Sequence, residues 1–178
     1  MKFPASLIIL SSLVSAALSA TVADVIADTH NIVAQTNTLD SVITSFPNTG
    51  GSLTAALSIH SGAVSLGSTI DRGTADIISA HKPVSQADGT TILSVVQTFE
   101  NAIVRTLSDI VAKKATFAAL PIGGIPALVL QDLINLRNSV FKFETQLIGY
   151  VPSKLVAPAN KMLAPINDAF ARAIAVYS

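Results

Sequence analysis

Residues 126–150 read PALVLQDLINLRNSVFKFETQLIGY, and this stretch decides the fold. Its apolar side chains recur at steps of three and four residues, the spacing that places them on one face of an α-helix. They form two adjacent rows, Val129, Leu133, Leu136, Val140, Phe143, Leu147 and Tyr150 in one, Leu130, Ile134, Phe141 and Ile148 in the other. So wide an apolar arc predicts a helix that contacts neighbours on several sides, or a ligand.

The same spacing predicts four more helices, at residues 22–46, 53–78, 86–110 and 153–177, the third with a further extension to Phe117. Ser52 and Ser85 stand where N-caps are expected, and Pro126 suits a first helical turn. No alternating strand pattern of useful length occurs. Because the connections are short, consecutive helices should be antiparallel. The sequence therefore predicts an all-α fold, an up-and-down bundle of about five helices.

Two segments contain residues that disturb a regular helix. In the second segment the inward row is predicted to be Leu53, Leu57, His60, Val64, Gly67, Ile70 or Asp71, Thr74 and Ile78. Gly62, Gly67 and Gly73 each weaken this helix, so a bend or a close backbone contact is expected. In the last segment, Pro165 is predicted to kink the helix or to divide it in two.

The N-terminus has the pattern of a secretory leader. Lys2 supplies a positive charge, an apolar run covers Leu7–Leu18, and small residues follow. The run is shorter than the span of about 20 apolar residues that a membrane anchor needs. We therefore predict a signal peptide at 1–19, a helical bundle domain at 20–178, and a secreted, extracellular protein, with cell-wall association left open.

Composition excludes several classes of function. The chain has 178 residues, of which 50% are hydrophobic and 12% charged, and its eleven basic and eleven acidic side chains cancel. That balance argues against a nucleic-acid partner, which requires a basic surface. The absence of cysteine excludes a disulfide framework and a thiolate metal site.

The sequence contains none of the common catalytic motifs. The three histidines, His30, His60 and His81, form no His-x-x-x-His pair, and no Gly-x-Ser-x-Gly elbow occurs. His60 lies on the apolar row of its segment, where a partly buried, hydrogen-bonded histidine is the favoured interpretation. No catalytic residue, cofactor site or metal site is predicted, and the protein is not expected to be an enzyme.

The connection at residues 117–126 lacks polar side chains, although loops are normally polar. It either plugs the end of the bundle or seeks another hydrophobic phase. Small residues on the inner helix faces have two possible structural consequences. They permit either close helix packing or a lengthwise void, and apolar pockets between bundle helices are common ligand sites.

Several core and capping positions resemble the fungal hydrophobic surface-binding protein A family, which includes cell-wall galactomannoproteins of moulds. The matching stretches are Ser85-x-x-Asp88 through Ile92, Lys113-Lys114-x-x-Phe117, Leu130-x-Asp132-Leu133-x-x-Leu136, Val151-Pro152, and Ile166-Asn167-Asp168-Ala169-Phe170-x-x-Ala173-Ile174-x-x-Tyr177. The resemblance covers nearly all of the chain after the leader. The chain departs from it at Ala115, where a proline usually follows the paired lysines.

The resemblance implies a secreted, non-enzymatic helical protein that binds hydrophobic surfaces, fatty acid-like lipids or both, and that recruits a polyester-degrading hydrolase to a surface. Two hypotheses follow. In the first, an internal cavity binds lipid, and its candidate lining residues are Phe99, Ile103, Leu136, Val140, Phe143, Met162, Ile166 and Phe170. In the second, an outer apolar patch with Leu120, Ile122 and Ile125 adsorbs to surfaces, as in a cell-wall mannoprotein without an internal ligand.

Overall fold

The computed structural model describes residues 19–82 and 84–178. The predicted signal peptide, apart from Ser19, lies outside the described residues. Within them the chain forms six helices and no strand: α1 (Val22–Ser45), α2 (Leu53–Ser79), α3 (Gln86–Ala112), α4 (Lys114–Ala118), α5 (Ile125–Tyr150) and α6 (Ser153–Tyr177). The all-α prediction is confirmed, with five long helices and one additional short helix.

The helix starts follow local capping chemistry. The Thr21 hydroxyl accepts the Asp24 amide, and the Asp24 carboxylate accepts the Thr21 amide at 2.8 Å, a reciprocal cap for α1. The Ser52 hydroxyl accepts the Ala55 amide and the Ser85 hydroxyl accepts the Asp88 amide, so these serines cap α2 and α3 as the sequence predicts. Before α5 the chain turns at Gly124, whose φ of 93° is costly for other residues.

The five long helices form a closed ring around one hydrophobic core. Going around the ring, α1 packs on α2, α2 on α5, α5 on α6, α6 on α3, and α3 on α1. The packing of α5 on α6 is the least extensive of these five. Although α2 and α3 are consecutive in the chain, they lie on opposite sides of α1. The ring therefore encloses an interior that residues from several helices share.

The connection between α3 and α5 plugs one end of the ring. Lys113 interrupts the helix, and its ammonium donates to the Phe46 carbonyl at 2.5 Å and to Asn48 Oδ1 at 2.7 Å. In α4, Phe117 is buried against the Phe46 ring, with the ring centroids 4.8 Å apart. Leu120 is buried as well. Of the two interpretations of this apolar connection, the structure shows the plug.

The inward face of α2 agrees with the predicted one at Ile70 and Thr74 and differs from it at three large apolar residues. Leu57, Val64 and Ile78 are exposed, and the buried positions are Ala56, Ile59, Leu66, Ile70, Gly73, Thr74 and Ile77. Compared with the prediction, α2 is turned about its axis so that small residues face α1. These small residues allow the two helices to approach each other closely. A Cβ added at Gly62 would lie 3.1 Å from Leu39 Cδ1, and one at Gly73 would lie 3.3 Å from Ile32 Cδ1. The predicted close contact of the glycines is thus present at these two positions.

The last helix is not divided at its prolines. Pro158 and Pro165 both lie inside α6, which runs without interruption from Ser153 to Tyr177. Both prolines are exposed. The backbone carbonyl that each proline leaves without a partner is therefore on the solvent side, where water can hydrate it.

Candidate functional site

A small apolar cavity lies inside the ring, near the end that α4 plugs. Its volume is about 30 Å³. Its lining comes from four helices and contains no aromatic side chain: Leu39, Ile43, Ile59, Ala63, Ile103, Thr106, Leu107, Ile110, Val129, Asp132, Leu133 and Leu136. The Thr106 hydroxyl donates to the Ala102 carbonyl at 2.9 Å, so its polarity is satisfied within α3. Asp132 is then the one remaining polar group in an aliphatic lining.

Two of the predicted lining residues, Ile103 and Leu136, contribute to this cavity. Five others are fully buried in the core without lining it: Phe99, Val140, Phe143, Ile166 and Phe170. Met162 is partly buried against the same core. Sequence reasoning missed the contributions of α1 and α2. Leu39 and Ile43 lie one helical turn apart on α1, a spacing that could have indicated them, whereas Ile59 and Ala63 were missed because α2 faces the core differently from the prediction.

A hydrogen-bonded pair of side chains, His60 of α2 and Asp132 of α5, closes the cavity wall between these helices. His60 Nδ1 lies 2.9 Å from both carboxylate oxygens of Asp132. The side chain of His60 is 35% exposed and that of Asp132 is 10% exposed. Burial raises the pKa of Asp132, and the hydrogen bond with His60 partly offsets that rise. A partly buried, hydrogen-bonded histidine is what the position of His60 predicts, but nothing in the sequence indicates its partner 72 residues away.

A polar groove of about 170 Å³ runs along the outside of the same wall. It is lined by Ala63, Val64, Gly67, Ser68, Asp71, Asp132, Asn135, Leu136 and Ser139. Ala63, Asp132 and Leu136 line both the groove and the internal cavity. These three side chains therefore form the partition between the aliphatic interior and a polar outer surface.

Helix α1 is held to both of its neighbours by the same arrangement of charges. Arg72 of α2 donates to buried Asp28 at 3.1 Å, and Arg105 of α3 donates to buried Asp40 at 3.0 Å. One turn beyond each arginine stands a second aspartate. The pKa of Asp76 is raised chiefly by its hydrogen bond with Asp28. The pKa of Asp109 is raised by burial and then by its hydrogen bond with Asp40.

The contact between α5 and α6 contains a buried carboxyl group and no ion pair among the described residues. Glu144 accepts one hydrogen bond, from the Asn167 side chain at 2.9 Å, and its Oε1 has no partner in the described part of the chain. Burial raises the pKa of Glu144 to about 7. Burial at this contact therefore disfavours the ionised form of Glu144.

The predicted adsorption residues do not lie together on the surface. Leu120 and Ile125 are buried, because their side chains take part in the plug, and Ile122 alone of the three is half exposed. The large apolar side chains that the structure exposes lie mainly elsewhere. They are Leu57, Val64, Ile78, Ile134, Phe141 and Val176.

Residues 19–82 and 84–178 contain neither a metal-binding cluster nor a helix that could span a membrane. No cluster of three or more histidine, aspartate or glutamate side chains there has a metal-binding arrangement. In the same ranges, no helix has the length and hydropathy that crossing a bilayer requires.

Known proteins match this chain in sequence and in fold. The sequence model of the family described as hydrophobic surface binding protein A matches residues 22–149. The solved structure of AfMP4p in complex with palmitic acid superimposes with a TM-score of 0.81 at 29% identity, covering 88% of this chain and 99% of that one. A search of curated protein sequences finds no match.

Two ligand-binding domains of the Penicillium marneffei MP1 protein have the same fold. Domain 1, solved with arachidonic acids, gives a TM-score of 0.77 at 18% identity and covers 85% of this chain and 95% of that one. Domain 2, solved with multiple arachidonic acids, gives a TM-score of 0.74 at 17% identity, and the superposition covers 88% of this chain and 93% of that domain. At these identities the likeness shows a shared fold and nothing more specific.

Proposed function

This chain belongs to the hydrophobic surface binding protein A family, and we propose that it binds a fatty acid-like lipid whose aliphatic chain lies inside the helical ring. The observation that carries this proposal is the cavity between α1, α2, α3 and α5, whose lining is aliphatic apart from Thr106 and Asp132. The palmitic acid complex of AfMP4p, a protein 29% identical in sequence, supports the choice of ligand. The proposed role is that of a non-enzymatic binding protein.

The cavity has to widen when such a ligand enters. Its volume of about 30 Å³ equals the volume that one molecule occupies in liquid water. Pockets that hold small-molecule ligands have volumes of about 300–1,000 Å³. The lining suits such an expansion, because leucine, isoleucine and valine side chains can change rotamer and no aromatic ring has to turn. Each buried methylene contributes about 0.8 kcal/mol, so ten of them match the roughly 8 kcal/mol of micromolar affinity, less the cost of widening.

Native mass spectrometry of the purified protein, before and after organic extraction and re-addition of palmitate, tests the proposal. We expect one discrete added mass that extraction removes and palmitate restores. Leu136→Phe fills the cavity from α5 and should reduce palmitate uptake at least about tenfold, a loss of about 1.4 kcal/mol. Leu57→Phe, on the exposed side of α2, is the matched control and should bind normally. An extracted wild-type protein that takes up no palmitate would contradict the proposal and favour a wall protein without an internal ligand.

Adsorption to hydrophobic surfaces is a second candidate function, and the exposed apolar side chains favour it. Phe141 is 62% exposed on α5, and Ile78 and Val64 are similarly exposed on α2. Phe141→Ser should therefore weaken adsorption to a polystyrene-coated quartz crystal and leave palmitate uptake unchanged. If Phe141→Ser and Leu136→Phe each reduced both properties, the division into an inner and an outer site would be wrong.

We also propose three further properties. They are secretion through the leader at 1–19, association with a fungal cell wall, and recruitment of a polyester hydrolase. The mass of the protein recovered from culture medium would test the first, since cleavage after Ser19 or Ala20 gives a defined N-terminus. A polyester film coated with the protein should retain more hydrolase than a bare film does. Equal retention on the two films would remove recruitment from the account.

A further inference from the structure

The groove between α2 and α5 lies directly outside the internal cavity. Ala63, Asp132 and Leu136 line both spaces. A lipid whose chain occupies the interior needs an exit for its polar end, because a head group left inside an aliphatic cavity would lose its hydrogen bonds to water. Among the cavity residues, Asp132 with its partner His60 marks the place where polar groups replace aliphatic ones.

We propose that this groove is the head-group site of the internal lipid, and that it selects an uncharged head group that donates hydrogen bonds, such as the glycerol of a monoacylglycerol, over a carboxylate. The inference rests on the proposed function, because it assumes that a lipid chain occupies the cavity.

The groove has room for a small head group because α2 lacks a side chain there. A Cβ added at Gly67 would meet only Ser139 Oγ, at 4.0 Å, so the position is open. Ala63, one turn earlier, presents a single methyl group to the partition. The groove volume of about 170 Å³ exceeds that of the internal cavity, and a glycerol-sized group is much smaller than the aliphatic chain that it would terminate.

The chemistry of the groove favours donors over anions. Asp71 and Asp132 supply carboxylate oxygens, which accept hydrogen bonds from hydroxyl groups, and none of the nine lining residues is a lysine or an arginine. A carboxylate head group would face two like charges, and like-charge juxtaposition is a strong source of discrimination. A protonated His60 would offset the charge of Asp132 at most, since its Nδ1 lies 2.9 Å from that carboxylate. The charge of Asp71 would remain.

Lipid selectivity at two pH values tests this inference. We would measure displacement of N-phenyl-1-naphthylamine by 1-monopalmitoylglycerol and by palmitate, both below their critical micelle concentrations, at pH 7.5 and 5.0. Monopalmitoylglycerol should bind about tenfold more tightly than palmitate at pH 7.5, an effect close to that of one like-charge contact in bulk water. The preference should shrink at pH 5.0, because palmitate itself gains protons there and because burial raises the pKa of Asp132, which favours its uncharged form. Hexadecylamine shows whether a cationic head group is accepted as well.

Variants separate the groove from the cavity. Gly67→Leu should weaken binding of monopalmitoylglycerol, and Asp71→Asn should reduce the preference over palmitate. Ser108→Leu, in the comparable groove between α3 and α6, is the matched control and should change neither. Palmitate bound as tightly as monopalmitoylglycerol, with Gly67→Leu without effect, would overturn the head-group site and leave internal binding intact. Failure of the wild type to bind any of the three lipids would overturn the proposed function itself.

Discussion

Two parts of the same core differ in how completely side chains fill the space inside the ring. Around the cavity, the inward residues of α1, α2, α3 and α5 are aliphatic, and they leave a void. Further toward the end of the ring where α1 begins, Phe99 and Phe143 are fully buried. Phe143 reaches across to α2, where its Cε2 is 3.7 Å from the position of a Cβ added at Gly73. The helices are the same in both parts, so side-chain size decides where the interior can accept a ligand.

The largest effect is expected when a side chain that fills the packed part of the core is removed. Phe143→Ala should lower the free energy of unfolding by about 3–5 kcal/mol, the usual cost of removing a buried phenylalanine. Phe141→Ala, two residues away on the exposed side of α5, should change it by no more than about 0.5 kcal/mol. Urea unfolding followed by circular dichroism measures both. Equal losses would mean that Phe143 does not fill the core as described.

The filled part also contains the buried carboxyl of Glu144, and this predicts a pH dependence of stability. Its folded-state pKa of about 7 lies above the ordinary value of 4.5. The free energy of unfolding should therefore fall as the pH rises through that interval, by roughly 3 kcal/mol in total. Glu144→Gln should remove most of this slope. Glu100→Gln, a partly exposed glutamate on α3, serves as control, and an unchanged slope in Glu144→Gln would refute the assignment.

The two ion pairs of α1 sharpen the comparison, because Asp40–Arg105 lies beside the cavity and Asp28–Arg72 lies in the filled part. Arg105→Gln and Arg72→Gln should each lower stability by about 1 kcal/mol, since both arginines are more than half exposed. Only Arg105→Gln should speed the release of a bound lipid, because Leu39 and Ile43 flank its partner Asp40 and line the cavity. Stopped-flow displacement measures the release. Equal acceleration in the two variants would show that the cavity end has no special part in ligand exchange.

The smallest effect is expected at the plug. Ile122→Ser should change the free energy of unfolding by less than about 0.5 kcal/mol, because its side chain is half exposed. Leu120→Ser, at a buried position of the same connection, should be clearly destabilising by comparison. Thermal unfolding of the two variants distinguishes them. Similar melting temperatures would mean that Leu120 contributes little to closing the ring.

Local signals made the helices predictable, because their caps and periodicity lie in adjacent residues. Ser52, Ser85 and Pro126 stand where the structure begins α2, α3 and α5. The inward face of α2 was mispredicted, because large apolar residues such as Val64 lie on its outer side while small ones approach α1. Of the two predicted effects of Pro165, a kink or a division of the helix, the division is absent, because Pro165 is exposed and its free carbonyl partner can be hydrated.

The candidate site was less predictable than the fold. Of the eight predicted lining residues, Ile103 and Leu136 do line the cavity, whereas the three phenylalanines, Phe99, Phe143 and Phe170, fill the core and the void forms among smaller side chains. The partition between cavity and groove depends on contacts between His60 and Asp132, which are far apart in sequence. Only the packing of α2 beside α5 brings them together, and no local pattern encodes that neighbourhood.

The central claim is that the aliphatic part of the ring widens to hold a lipid chain, and a crystal structure with 12-bromododecanoic acid tests it most directly. The account predicts an anomalous bromine peak inside the ring, among the side chains of Ile103, Leu133 and Leu136, with those side chains displaced outward. A bromine peak confined to the outer surface near Phe141, with the cavity unchanged at about 30 Å³, would contradict it.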